Sequence, residues 1–391
     1  MMIAQNTEIS DQPRSGNDDW TLDSLSQQLT RLTYFRGRVA LSAILRGLGI
    51  GAGDDVLLQA FTCVAVPEGV MSVGATPIYV DVSLGTPNMD PTDVPSKITP
   101  RTKAIIIQHS YGLPADVVTL TRIAREHGIA VIEDCAHTIA SKVDGRFVGS
   151  FGDAAFYSYE AAKPVFVGIG GSAIVNDDEL ARRVERDYST LEQPPILSQL
   201  ETRAMVFGYR VAYTPATYWT VRSIFRGLSK AGLIRGNYNK VGHSLRPASD
   251  FQRKMGRVQS RMLEIAVSDL TIQTDHRIAV AREYRERIGT RNVEHFPIPS
   301  GVEPVFGRYP MIARDKTSLV GRAREAKVEI AVFYDTPVQP LEGLALRDVL
   351  YEPGSCPRAE QLSAQVVSLP TGLQVTDAQI KRSVDFLNSA A

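Results

Sequence analysis

Short apolar runs alternate with amphipathic stretches over the first half of the chain, and this rhythm predicts an α/β fold. The runs Asp55–Gln59, Pro77–Asp81, Ala104–Gln108, Ile129–Ile132, Ala154–Ser158 and Ser172–Val175 are short and rich in apolar residues, as in strands buried within a parallel sheet. Between them, Val39–Leu48, Cys63–Val73 and Val117–Gly128 read as helices, the last closed by Gly128. Such βαβα repetition argues for a mostly parallel sheet covered by helices on both faces. The last two strands are joined without a long intervening helix, and no GxGxxG follows the first strand, so a nicotinamide-binding fold is disfavoured.

The pattern changes between residues 191 and 242. Here Met205–Pro215 and Tyr218–Gly227 are apolar and aromatic, with only basic charges interspersed: Arg203, Arg210, Arg222, Arg226, Lys230 and Arg235. Two readings stand: peripheral contact of residues 203–235 with an anionic membrane surface, or a helical hairpin covering a site mouth or a subunit interface. A long helix is expected from about Asp250 to Arg287, with Met255, Val258, Met262, Ile265, Leu270, Ile278 and Tyr284 as its buried stripe. A smaller α+β unit then follows from Tyr309–Ala313, Leu319–Ala326, Val366–Leu369 and a closing helix Asp377–Leu387. The expected organisation is a flexible arm at 1–19, a large domain at 20–250 with a helical insertion at about 191–242, and a linking helix with a small domain at 251–391.

Composition narrows the function classes. The 391 residues carry 43 basic and 43 acidic side chains, so there is no overall basic footprint and nucleic acid is not an expected partner. Cys63, Cys135 and Cys356 are widely spaced, without metal-ligand spacing, which points to a reducing compartment with no disulfide framework and no structural zinc. The polar start lacks the order of a signal peptide, and no apolar stretch is long enough for a spanning helix. A cytoplasmic protein, at most peripheral to the inner membrane face, is the expectation.

The candidate chemistry lies in two segments 29 positions apart. Lys163 sits between Phe156–Glu160 and the glycines Gly168, Gly170 and Gly171; alone, such a lysine is more often a solvated surface residue. Asp134 falls at the carboxyl end of a strand expected to be parallel, where open α/β sheets bind ligands. A carboxylate there needs a cationic partner. The pyridinium nitrogen of pyridoxal phosphate is such a partner, and a lysine Schiff base with an opposed carboxylate is the pairing that cofactor requires.

The order of motifs resembles the DegT/DnrJ/EryC1/StrS family of sugar aminotransferases. It is carried by Arg36–Leu41, Gly49–Val56, Thr62, Gly74–Asp81, Ile98–Ile105, His109–Gly112, Ile132–His137, Gly149–Asp153, Ser158–Lys163, Gly168–Gly171 and Ser368–Pro370. The resemblance implies a fold type I, aspartate aminotransferase-like enzyme. Lys163 would hold pyridoxal 5'-phosphate and move the proton, Asp134 would keep the ring nitrogen protonated, and His137 would lie near the phenolic oxygen. Ser158 and the backbone of Gly37, Arg38 and Val39 would bind the phosphate, with Thr62, Cys63 and Ala136 completing the cofactor contacts. Five positions depart from the family pattern: Arg38 replaces Thr or Ser, Cys63 an aromatic residue, Ile169 a glutamate, and Ala331 and Phe333 an Arg and a His. His243 or Ser244 would reach the phosphate of a neighbouring subunit, in a homodimer with shared active sites.

The function so implied is transfer of an amino group from an amino acid, expected to be glutamate, to a keto sugar nucleotide. Alternatives are the same chemistry on a cyclitol or lipid-linked ketone at the membrane surface, or a non-catalytic regulator that binds the cofactor. Metal is not expected.

Overall fold

The computed structural model describes residues 20–213, 217–230, 249–289 and 291–389. The arm at 1–19 and the positions of His243 and Ser244 lie outside the described residues, as do 214–216 and 231–248 of the hairpin region.

Seven strands form the central sheet: β1 (Leu32–Tyr34), β2 (Asp55–Gln59), β3 (Thr76–Val80), β4 (Thr102–Gln108), β5 (Ala130–Asp134), β6 (Ala154–Ser158) and β7 (Gly171–Val175). Their spatial order is β1-β7-β6-β5-β4-β2-β3. The five strands from β3 to β6 in that order run parallel, whereas β7 runs against them and β1, at the edge, pairs antiparallel with β7. That edge explains the missing crossover helix: β6 turns back into β7 through the loop bearing Lys163, so no parallel return is needed. Strand β2 is buried along its whole length, as its apolar run requires.

Local chemistry sets the element ends. The helix Val117–Glu126 begins where the Asp116 carboxylate accepts the Thr119 N–H at 3.2 Å, and it stops before Gly128, which adopts φ +66°. At the segment expected to be helical from Cys63, Thr62–Cys63 instead pair in parallel with Val338–Gln339, and the helix runs only over Ala65–Met71. The backbone bonds of this bridge fix Thr62 and Cys63 against the later part of the chain.

The long helix expected from Asp250 is broken. A turn at Ser249–Gln252 is followed by the helices Arg257–Val267 and Leu270–Arg287. Met255, Leu270 and Tyr284 of the expected stripe are buried, but the first helix turns Leu263 and Val267 inward in place of Ile265, and Ile278 on the second is exposed as well. A second, antiparallel sheet has Arg308–Ala313 at its centre, flanked by Val293–His295 and Val366–Pro370, with the helices Lys316–Glu325 and Asp377–Ser389 nearby in sequence. A continuous buried cluster joins Phe61 and Tyr111 to Tyr334, Tyr351 and Leu369, so the two sheets share apolar core.

Candidate active site

Successive residues of β5 point to opposite faces, and both Glu133 and Asp134 are buried. The Glu133 carboxylate accepts the N–H groups of Gly149, Phe151 and Gly152 at 2.6, 2.7 and 2.7 Å and lies 3.0 Å from His109 Nε2. His109 Nδ1 accepts the Ala115 N–H at 3.2 Å, so Nε2 carries the proton in the neutral ring and donates to Glu133. This acid is consumed by structure.

Asp134 is differently placed. Its Oδ1 accepts the Ala136 N–H at 2.9 Å. Burial raises its pKa, a shift opposed by the Ala136 N–H and by the charges of Lys163 and His109. A buried carboxylate whose charge is disfavoured in this way is a receptor for a further cation.

His137 is also buried. Its Nδ1 accepts the Tyr111 N–H at 3.0 Å, and its Nε2 lies 3.2 Å from the Tyr334 hydroxyl, with the two rings stacked at 5.7 Å. Accepting at Nδ1 requires the proton on Nε2, so the neutral ring donates to Tyr334. Burial, reinforced by Lys163, drives the His137 pKa well below its ordinary value. His137 is therefore not a solvent-facing residue but an uncharged donor.

Lys163 is half-buried, and its charge reaches Asp134, His137 and Cys63. Burial pushes the Cys63 thiol up, and Lys163 is the main influence opposing it. The lysine loop is held from several sides. Ala162 takes φ +68°, Lys163 N–H donates to Glu160 O at 3.2 Å, and the buried Arg277 guanidinium donates to Pro164 O at 2.9 Å. Arg277 also reaches Gly307 O and the Thr371 hydroxyl, at 3.0 and 2.8 Å, and burial pushes its pKa down to about 10.

The start of the helix Gly37–Gly47 lies against the end of β6. A Cβ on Gly37 would stand 3.0 Å from Ser158 Cβ, and one on Gly171 only 2.4 Å from Gly37 N. The two glycines thus permit a close approach of a helix amino terminus to the Ser158 side chain, an arrangement suited to an anion. Arg38 pairs with Glu68, while its buried Nε–H has no hydrogen-bond partner among the described residues. Thr62 Oγ1 donates to Gln108 Oε1 at 2.6 Å, Ala136 is engaged through its N–H, and Ile169 is buried.

The folded chain therefore brings Lys163, Asp134, His137 and Cys63 into one electrostatic neighbourhood and sets Gly37 beside Ser158. Sequence reasoning missed Tyr334, Tyr111, Arg277 and the buried Arg36–Glu160 pair, whose Nη1–Oε1 distance is 2.8 Å. Arg36 and Glu160 were visible inside quoted motifs as charges in apolar surroundings; Tyr334 and Arg277 reach the site only through tertiary packing.

A mostly parallel sheet with antiparallel edge strands, a lysine on the loop after β6 and a carboxylate at the tip of β5 define a fold type I pyridoxal phosphate-dependent enzyme. The sequence matches the DegT/DnrJ/EryC1/StrS aminotransferase family over residues 30–388, and the chain belongs to that family. It is 29 % identical over 347 residues to UDP-N-acetyl-3-dehydro-alpha-D-glucosamine 3-aminotransferase of Acidithiobacillus ferrooxidans, covering 88 % of this chain and 80 % of the relative. A shorter match, 41 % over 149 residues, covers 38 % of this chain and 35 % of L-glutamine:2-deoxy-scyllo-inosose aminotransferase of Streptomyces kanamyceticus. Among solved structures, S. venezuelae DesV in complex with a ketimine intermediate superposes with a TM-score of 0.69 at 26 % identity, covering 92 % of this chain and 84 % of that one.

Proposed function

We propose that this aminotransferase moves an amino group from an amino acid, glutamate as the expected donor, to the keto group of a sugar nucleotide. The observation that carries the reading is the shared environment of Lys163, Asp134 and His137, in which burial disfavours charge on the acid and the imidazole while the charge of the lysine acts on both. The residues fit pyridoxal phosphate. The Gly37 and Ser158 cradle suits a phosphate, the unpartnered Arg38 Nε–H offers a further donor, and the buried Asp134 carboxylate awaits a cation.

When bound, the cofactor stores the amino group and the electron pair between two half-reactions. Lys163 would hold it covalently through Nζ and would serve as the group that moves the proton at the substrate carbon. Asp134 would face the ring nitrogen and favour a proton there by its charge. His137, kept neutral and donating Nε2–H to the Tyr334 hydroxyl, would lie near the oxygen side of the ring with its orientation held by that bond. Thr62, Cys63 and Ala136 shape the pocket around the ring. Closure of the site by a second copy of the chain, in a homodimer with shared active sites, belongs to the same reading.

The half-reaction test is direct. Protein loaded with glutamate should lose its yellow colour, and a matching keto sugar nucleotide should restore it. Absence of bleaching by every amino donor tried would sink the proposal and favour a regulator that binds the cofactor without turnover. A cyclitol ketone is the second reading, favoured by the 149-residue match to the inosose aminotransferase; recovery of colour with inososes but not with keto sugar nucleotides would select it.

A further inference from the structure

The helix Ile196–Ala212 has two different working faces. Its inner face, with Gln199, Thr202 and Val206 buried, lies against the Lys163 loop: a Cβ on Gly168 would stand 2.6 Å from Val206 Cγ2 and 2.7 Å from Thr202 Cγ2. Tyr209 packs edge-on against Phe166 with 5.1 Å between ring centroids. The far end is anchored as well, since the Tyr213 hydroxyl donates to Glu329 at 2.5 Å and Trp219 Nε1–H donates to Val328 O at 3.0 Å. The contacts that seat the hairpin are thus made on one side.

The outer face is apolar and exposed. Ile196, Leu197, Leu200, Ala204, Phe207 and Val211 fall on one arc about 100° wide along the full helix. Phe207 is 71 % and Val211 66 % exposed. Arg203 and Arg210, both exposed, border this arc, and Ile224 is exposed on the following helix Tyr218–Lys230. Charge selects the occupant. Between Glu201 and Asp250 the sequence has eight basic residues and no acidic one, in a chain whose charges balance to zero. An apolar stripe edged on one side by Arg203 and Arg210, with the single acid Glu201 toward its other edge, and leading into a stretch whose charges are all basic, is complementary to a lipid surface bearing negative headgroups, which takes up apolar side chains and attracts the cations.

We propose that the outer face of the Ile196–Ala212 helix docks this enzyme on an anionic lipid surface. The surface is then one helix away from the Lys163 loop, so the site works next to the bilayer. The inference stands on the hairpin alone and is read by binding, whereas the amino-transfer reading is read by cofactor colour, so failure of either leaves the other standing.

The test is flotation of the full-length holoprotein with vesicles of phosphatidylcholine alone or of phosphatidylcholine mixed with phosphatidylglycerol. The expected result is flotation with the anionic vesicles only, lost on raising salt from about 0.1 M to about 1 M, where the screening length falls to about 3 Å. Phe207→Ser/Val211→Ser should weaken vesicle binding at least about tenfold, from the apolar surface no longer transferred, while keeping the amino-donor colour change. Arg203→Glu, a single change on the exposed rim, should weaken it as well. Equal binding to neutral vesicles, no binding to either kind, or undiminished binding by both variants would overturn the proposal. So would conversion of a wild-type dimer to monomer by the double variant with vesicle binding intact, which would assign the stripe to a second copy of the chain.

Discussion

Arg36 donates to Glu160 across 2.8 Å in a buried ion pair, joining the residue just before the Gly37 helix to the segment that turns toward Lys163. The pair ties the proposed phosphate cradle to the proposed lysine. Asp250 stands 3.6 Å from Arg36 as a second anion. Replacement of Glu160 by Ala should cost about 3 kcal/mol, the lower end for a broken buried pair, since Arg36 then keeps only the longer contact to Asp250. Urea unfolding would measure the loss; a midpoint and slope equal to wild type would contradict it.

Asp134→Asn separates catalysis from stability. With the cation-stabilising charge gone, turnover should fall at least about a hundredfold, the range seen when a preorganised electrostatic group is removed. The stability effect has the other sign. Because burial raises the folded pKa of Asp134, its contribution to stability is fully present below the ordinary 3.8 and is lost as pH rises through the raised folded value. Cofactor-free Asp134→Asn should therefore melt at or above the wild-type temperature at neutral pH, with this advantage vanishing in acid. A neutral-pH melt well below wild type would show that the carboxylate is structural.

His137 has the opposite shift. Its folded pKa is depressed, so its contribution is complete above the ordinary 6.5 and is lost as pH falls from there toward the folded value. Cofactor-free protein should lose stability between neutral pH and mild acid, and His137→Gln, which keeps a neutral donor, should flatten that loss. The hydroxyl deletion Tyr334→Phe should lower kcat/KM by about tenfold while leaving the His137 imidazole neutral, as histidine NMR titration would report.

Gly171→Ala introduces a Cβ 2.4 Å from the Gly37 backbone nitrogen, and backbone cannot rotate out of the way. The helix start must move from Ser158. A loss of about 1 to 3 kcal/mol is expected from overpacking, together with weaker pyridoxal phosphate binding by fluorescence titration. Wild-type cofactor affinity in a folded Gly171→Ala protein would count against the cradle.

Where an element's burial is uniform, its residues announce it: β2 and β6 lie over the same residues that their apolar runs mark, and Gly128 ends the helix it follows. The errors arose where long-range pairing overrides local preference. Thr62–Cys63 are extended because Val338–Gln339, far along the chain, supply their partners, and nothing near Cys63 encodes that. The break at Ser268–Asp269 was hidden by apolar residues that continue a helical period on both sides of it. At the site, Lys163, Asp134 and Ser158 were legible through family motifs. Arg277 was not, because its partners at Pro164, Gly307 and Thr371 come from three distant segments.

Two acids adjacent on β5 have unlike fates because side chains alternate across the sheet, and each strand residue is locked to its neighbours from Ala104↔Ala130 to Gln108↔Asp134. Deleting one residue ahead of them would therefore do more than shorten the strand. It would slide Asp134 into the nest of amides that now grips Glu133 and empty the corner proposed for catalysis, in a protein with the same composition in every other respect. The register of this strand matters as much as the identity of its side chains.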